Sequence, residues 1–153
     1  MYGGDSPFET HTLTYALSDF FPQGFVPGNP GLNEGQPVYR EDWSATTFES
    51  PAIPGEIVHM YAVGLGAVDC PVETGNPAPL DRLCRSTRMI DWQWTTAPST
   101  TVPAEVLFAG LAPGIVGLYQ IDVRVPPYNG YEFIELSDGV RNPRVAFVRV
   151  RPK

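Results

Sequence analysis

The sequence predicts an all-β fold, and three observations support this prediction. Apolar and polar residues alternate strictly from Tyr119 to Val125, a pattern typical of a half-buried strand in an antiparallel sheet. The 17 prolines and 15 glycines make up about a fifth of the 153 residues, which suits a loop-rich β protein better than a helical one. No helical periodicity extends beyond two turns without a proline or a glycine. The length fits one domain with a single core.

The candidate strands are spread along the whole chain. Residues 11–16 alternate and form the first candidate, and residues 37–48 are a weak strand or hairpin candidate. Stronger candidates are residues 56–65, 89–96, 104–109, 117–125, 131–136 and 144–151. Turn signals separate them, and the Pro/Ser/Thr-rich residues 97–103 are expected to form a loop. About seven strands at this spacing, with no helix between them, favour an immunoglobulin-like β-sandwich with an N-terminal extension.

The two faces of the strand at 117–125 are predicted to differ in burial. Tyr119, Ile121 and Val123 share one face, which we expect to form the central core. Gln120 and the charged residues of the strand share the opposite face. We expect that face to be polar unless the N-terminal segment or a partner covers it.

The chain divides into an N-terminal arm, residues 1–35, and a sandwich domain, residues 36–153. The arm has acidic and aromatic residues but no lysine or arginine. Its candidate interface rings are Phe8, Tyr15, Phe20, Phe21 and Phe25. Rings left in water are an aggregation liability, so we expect another surface to cover them. Arg144, Arg149 and Arg151 would complement the arm's acids, so we expect docking near the C-terminal strand, in the same chain or in a neighbouring copy.

The charge and hydropathy of the chain exclude two classes of partner. The formal net charge is −7, and nucleic acid is therefore not an expected partner, because phosphate binding needs clustered cations. An uninterrupted apolar run of about 20 residues, which a membrane-spanning helix needs, does not occur in the sequence.

The two cysteines, Cys70 and Cys84, are predicted to form a disulfide in a proline-rich loop. Closing a loop of roughly 15 residues stabilises a fold by about 3 kcal/mol. A metal site is not expected, because the only histidines are His11 and His59 and no second cysteine pair is present. A disulfide implies an oxidising, extracellular or cell-surface location. The chain begins without a signal peptide, so we expect the secretion signal to lie upstream or to have been removed.

Several segments resemble a family of bacterial secreted domains that is abundant in Acidobacteria and often called the Solibacter-type C-terminal domain. They are Pro54 to Val68, Thr74 to Pro79 and Phe108 to Pro126. The resemblance runs from about Pro51 to the C-terminus. It implies an immunoglobulin-like β-sandwich in secreted proteins, with no established activity and no catalytic residues. The insert between Cys70 and Cys84 and the aromatic N-terminal segment depart from the family pattern.

The candidate ligand sites in the sequence all have a structural alternative. Trp92 and Trp94 alternate on one strand face, which forms either the core or a sugar-stacking platform. Asp69, Glu73 and Asp81 lack the dense spacing of a calcium loop. His59 is expected to be a partly buried strand residue. No phosphate loop or nucleophile elbow is present, so no cofactor and no catalytic residues are predicted.

We therefore expect a non-enzymatic, extracellular structural or interaction module. In one form it is a passive domain of a larger secreted protein, and in the other it is a self-assembling subunit whose arm packs into a neighbouring copy. The alternative function is a carbohydrate-binding module of a secreted protein.

Overall fold

The computed structural model of the chain describes residues 23–24, 38–47, 49–97, 100–127, 133–138 and 144–150. Within these ranges the chain forms ten strands and no helix. The strands are β1 (Gln23–Gly24), β2 (Tyr39–Arg40), β3 (Ile57–Val63), β4 (Cys84–Arg85), β5 (Trp92–Ala97), β6 (Thr100–Pro103), β7 (Val106–Leu111), β8 (Tyr119–Arg124), β9 (Phe133–Asp138) and β10 (Arg144–Arg149).

The strands form two antiparallel sheets that pack as a β-sandwich. The six-stranded sheet has the order β1-β3-β8-β7-β4, and β2 also pairs with β3. The four-stranded sheet has the order β10-β9-β5-β6. The predicted all-β sandwich is therefore confirmed.

The inner face of the six-stranded sheet forms one half of the core. The register places Val58 opposite Val123 and Met60 opposite Ile121, and all four side chains are fully buried. The prediction that Ile121 and Val123 lie in the core is confirmed. Tyr119 lies at the end of this row and is partly buried, and its hydroxyl donates a hydrogen bond to the carbonyl of Gly66. The predicted alternation of β8 therefore holds along its length.

The inner face of the four-stranded sheet forms the other half of the core. Trp94 and Leu136 lie opposite each other on β5 and β9 and are fully buried, as is Val148 on β10. The indole N–H of Trp94 donates a hydrogen bond of 3.1 Å to the carbonyl of Arg124 at the end of β8. This bond joins the two sheets and satisfies the one polar atom that burial of the indole takes away from water.

Two predicted boundaries were wrong. Residues 100–103, expected to be part of a loop, form β6 at the edge of the four-stranded sheet. Threonine and valine favour an extended chain, and an edge strand tolerates a proline at its last position. The strand candidate at residues 131–136 extends further than predicted, because Ser137 and Asp138 belong to β9. Ser137 pairs with Gln93 of β5, and this ladder extends the strand.

Only part of the N-terminal arm belongs to the described residues. Gln23 and Gly24 form β1, which pairs with the last two residues of β3 and has Cα atoms within 8 Å of those of β10. This position is near the C-terminal strand, where docking of the arm was predicted. The predicted strand at 11–16 and the five candidate rings lie outside the described residues.

The long excursion after β3 is held to the sheet by the disulfide and by β4. Cys70 and Cys84 are bonded, with their Cα atoms 5.3 Å apart, which confirms the predicted disulfide. Cys84 pairs with Leu111, and Arg85 pairs with Gly110. A side chain at Gly110 would collide with the carbonyl of Cys84, so glycine is needed for this close approach of β4 to β7.

Candidate functional site

The outer face of the six-stranded sheet carries a row of aromatic and polar side chains. Cross-strand pairing places Tyr39 opposite His59, His59 opposite Asp122, and Asp122 opposite Phe108. Directly opposite residues share a face, so the row crosses β2, β3, β8 and β7 in that order. We call this surface the aromatic face. Its residues are Tyr39, Trp43, His59, Tyr61, Gln120 and Asp122.

The aromatic face begins at a hairpin that presents Trp43 to solvent. Trp43 donates its backbone N–H to the carbonyl of Arg40 at 2.9 Å, and Arg40 donates its own to the carbonyl of Ser44 at 2.9 Å. Trp43 has a φ of 64°, which is unusual for a bulky residue, and its side chain is 57% exposed. The tight turn therefore orients a large apolar ring outward.

The side chain of Arg40 fixes this hairpin to the start of β3. Its guanidinium donates to Glu56 at 2.9 Å, to the carbonyl of Ala45 at 3.0 Å, and to the carbonyls of Ser50 and Pro51 at 2.7 and 3.1 Å. It also donates to the Ser44 hydroxyl at 3.3 Å. A planar guanidinium with this many acceptors is a rigid connection, so the turn holds Trp43 in a preorganised position.

One side of the Trp43 indole packs against an imidazole that is itself hydrogen-bonded. The two ring centroids lie 5.3 Å apart, with an angle of 25° between the planes of Trp43 and His59. His59 Nδ1 lies 2.7 Å from Asp122 Oδ1, and the Gln120 amide donates to the same oxygen at 2.8 Å. Asp122 and Gln120 therefore orient the ring on which Trp43 rests.

Two titratable groups of this region have shifted pKa values. Hydrogen bonds from the side chain and backbone of Ser44 lower the pKa of the Asp42 carboxyl, next to Trp43. Partial burial raises the pKa of the Tyr61 hydroxyl, and the negative charge of Asp122 raises it further. At neutral pH, Asp42 is therefore an anion and Tyr61 is a neutral hydroxyl.

A second surface lies at the end of the sandwich where the disulfide is found. The loop between β3 and β4 and the loop between β7 and β8 expose four large apolar side chains at this end, and we call these side chains the apolar patch. They are Leu80, Leu83, Ile115 and Val116. Leu80 is the most exposed of them at 83%. Apolar side chains that are grouped on a surface mark interaction sites more often than single ones do.

The loops of the apolar patch are tied to each other by backbone hydrogen bonds. Ala78 donates to the carbonyl of Ile115 at 3.2 Å, and Gly114 donates to the carbonyl of Ala78 at 2.9 Å. Ala78, Cys84 and Leu111 form a small buried cluster beneath them. The disulfide and this cluster keep the patch in place.

The residues singled out in the sequence lie in different parts of the molecule. Trp94 is fully buried and Trp92 nearly so, so neither offers a ring face on which a sugar could stack. Arg149 is half-buried on β10, and Arg144 begins that strand with a side chain outside the described part. Phe8, Tyr15, Phe20, Phe21, Phe25 and Arg151 lie outside the described residues. Of these candidates, only the disulfide-bonded cysteines are found at a surface loop of the described residues.

His59 was expected to be a partly buried strand residue, and its side chain is 13% exposed. Its pairing with Asp122 across β3 and β8 was not predicted, because the sequence separation of 63 residues hides the register. Trp43 was noted only as part of a weak strand candidate. The signal that could have identified it is its position between Asp42 and Ser44, in a charged turn where no core face is expected.

The described residues contain no group of three or more His, Cys, Asp or Glu side chains that could hold a metal ion. The same residues form no helix, and therefore none that is long and apolar enough to cross a membrane.

No family model, no curated protein and no solved structure matches the chain.

Proposed function

We propose that the chain is a non-enzymatic, extracellular interaction module that assembles with copies of itself through its N-terminal arm. The observation that carries the proposal is the apolar patch, in which Leu80 is 83% exposed on a loop fixed by a disulfide. A rigid loop that holds leucines in water gains stability when another surface covers them. The proposed cover is the aromatic part of the arm, residues 1–22, of a second copy.

The path of the backbone supports this choice of partner. In β1, Gln23 lies opposite Val63 and Gly24 lies opposite Ala62, the last residues of β3. Because β1 and β3 are antiparallel, the start of β1 lies beside the end of β3. The disulfide loop follows β3 at the same end. The arm is therefore attached at the end of the sandwich that carries the apolar patch.

Charge also favours this contact. The arm carries Asp5, Glu9 and Asp19 but no basic residue. Arg82, between the two leucines of the patch, and Arg85 of β4 are both exposed, as is the single carboxylate between those leucines, Asp81. Opposite charges around an apolar contact guide association and disfavour wrong partners.

The extracellular location rests on the disulfide, which persists in oxidising compartments. Resemblance to the Solibacter-type secreted domains is in keeping with this location, and we propose membership of that family. One segment of the resemblance, Phe108 to Pro126, contains most of β7, the turn after it and all of β8. In this proposal His59 is a packing partner of Trp43, because the indole lies against its ring.

The test is the molar mass of the full chain by multi-angle light scattering over a wide range of concentrations. We expect the wild type to form dimers or larger species, and Leu80→Ser to shift the chain to monomers. Ile53→Ser is the matched control, because Ile53 is also apolar and 51% exposed but precedes β3 at the opposite end of the sheet. This control should assemble like the wild type.

A wild type that stays monomeric at every concentration would overturn the assembly. If the wild type is already monomeric and Leu80→Ser, also monomeric, melts at a lower temperature, the arm covers the patch of its own chain. Equal loss of assembly in both variants would show that the contact does not depend on the patch.

A further inference from the structure

We propose that Trp43 and the side chains around it form a binding site for a neutral carbohydrate chain. The site lies on the aromatic face of the six-stranded sheet, whereas the apolar patch lies on loops at the sheet's end. The inference is therefore independent of the assembly proposed above, and each can fail without the other.

The exposure of Trp43 is the first argument. It is the only exposed aromatic residue among those whose side chains the structure describes. Water disfavours an exposed indole, and the left-handed backbone at this position also costs free energy. The hairpin nevertheless holds the ring outward with a network of hydrogen bonds centred on Arg40. Such a costly local arrangement is typical of a binding residue.

The shape of the exposed surface is the second argument. His59 covers one side of the indole, so the exposed area lies on the opposite side and at the edges. This is a flat apolar platform of about the size of one pyranose ring. A pyranose has an apolar C–H side that can stack on an indole and a rim of hydroxyls that need hydrogen-bond partners.

The polar groups beside the platform are the third argument. Glu41 and Asp42 precede Trp43 in the turn and are exposed. Their carboxylates can accept hydrogen bonds from sugar hydroxyls, and the lowered pKa of Asp42 keeps its carboxylate ionised. Tyr39, half-buried on β2, pairs with His59 in the same row, and its ring packs against Tyr61. A platform with polar groups at its edge fits a ligand that is apolar on one side and hydroxylated around it.

The charge of the hairpin selects a neutral sugar over an acidic one. Arg40 is its only basic residue, and five acceptors already occupy the guanidinium. Glu41 and Asp42 would repel uronic acids and sulfated sugars. Acidic glycans are therefore predicted not to bind.

A small organic cation is a less suitable ligand for this geometry. Recognition of a quaternary ammonium group typically uses a cage of several rings around the charge. Here Trp43 stacks on His59, while the Tyr39 and Tyr61 rings pack edge-on against each other at 6.4 Å. The face therefore presents one open ring and not a cage.

The test is calorimetric titration of the full chain with cellohexaose, xylohexaose, maltohexaose and chitohexaose. Oligogalacturonate and choline serve as the acidic and cationic probes. We expect at least one neutral oligosaccharide to bind, and Trp43→Gly to weaken that binding by at least about tenfold. Glycine suits the positive φ, so this variant removes the ring without straining the turn.

Two further measurements separate loss of the site from loss of the fold. Trp43→Tyr retains an aromatic platform and should bind more tightly than Trp43→Gly. The neutral ligand should also protect the exposed indole of the wild type from acrylamide quenching of its fluorescence, since Trp92 and Trp94 are buried. Leu80→Ser, in the apolar patch, is the control and should bind like the wild type.

The proposal is overturned if none of the four neutral oligosaccharides binds at millimolar concentration, or if Trp43→Gly binds as tightly as the wild type. Binding of choline or oligogalacturonate alone would also overturn it. Failure of these tests leaves the light-scattering result unaffected, because assembly is measured without sugar.

Discussion

The tryptophans of this chain occupy two contrasting regions. Trp94 on β5 is fully buried between the sheets, where its N–H reaches the carbonyl of Arg124. Trp43, in the hairpin after β2, is 57% exposed and stacks on His59. The same residue type thus stabilises the core in one region and forms an open surface in the other. The neighbouring residues differ between the two regions. In β5 the two tryptophans alternate with polar residues and share the core face, whereas charged residues precede Trp43 in the hairpin.

The difference in burial determines how much each tryptophan contributes to the stability of the fold. Burial of apolar area contributes about 25 cal/mol per Å², so a buried indole contributes far more than an exposed one. Mutations in the core should therefore lower the free energy of unfolding strongly. Mutations on the aromatic face should affect binding of the proposed neutral carbohydrate more than they affect the free energy of unfolding.

The largest effect is expected for Trp94→Ala. Loss of the indole leaves a cavity between the sheets and an unpaired carbonyl at Arg124, and should lower the free energy of unfolding by about 3–5 kcal/mol. Urea denaturation followed by circular dichroism measures this change. A loss below about 1 kcal/mol would contradict the described packing of β5 against β8.

The next largest loss of stability is expected for Ile121→Ala on the inner face of β8, and Gln120→Ala on the outer face is the comparison. Ile121→Ala should lower the free energy of unfolding by about 2–5 kcal/mol, because Ile121 is fully buried opposite Met60. Gln120→Ala should cost less, since Gln120 is half-buried and loses mainly its hydrogen bond to Asp122. Equal losses in the two variants would show that a further element covers the outer face.

The faces of β8 also show what could be predicted from the sequence. Alternation places side chains on two faces, and apolar content identifies the buried one, so the core positions of β8 were correct. Register between distant strands depends on the whole fold, and the pairing of His59 with Asp122 therefore had no sequence signal. Trp92 and Trp94 could be assigned to one face but not to the core or the surface, because alternation is the same in both cases. The position of Trp43 depends on a single left-handed residue in a turn, which local sequence specifies weakly.

An intermediate effect is expected for removal of the disulfide. The double variant Cys70→Ser and Cys84→Ser opens a loop with a sequence separation of 14 residues and should lower the free energy of unfolding by about 3 kcal/mol. Because the loop supports the apolar patch, assembly should also weaken. Alkylation of the native wild type followed by mass spectrometry is the direct control. Two labelled thiols would contradict the disulfide and would remove the main support for an extracellular location.

The smallest effect on stability is expected for Trp43, and it completes the comparison between the two regions. Trp43→Gly loses the stack on His59 but relieves the positive φ, so the free energy of unfolding should change by less than about 1 kcal/mol. Trp43→Ala loses the same stack and keeps a Cβ at that φ. It should therefore be less stable than Trp43→Gly by up to roughly 1 kcal/mol in urea denaturation, because the strain at this φ outweighs the larger unfolded-state entropy of glycine. If Trp43→Gly is instead as destabilised as Trp94→Ala, then Trp43 belongs to the packed structure and the contrast between the two regions is wrong.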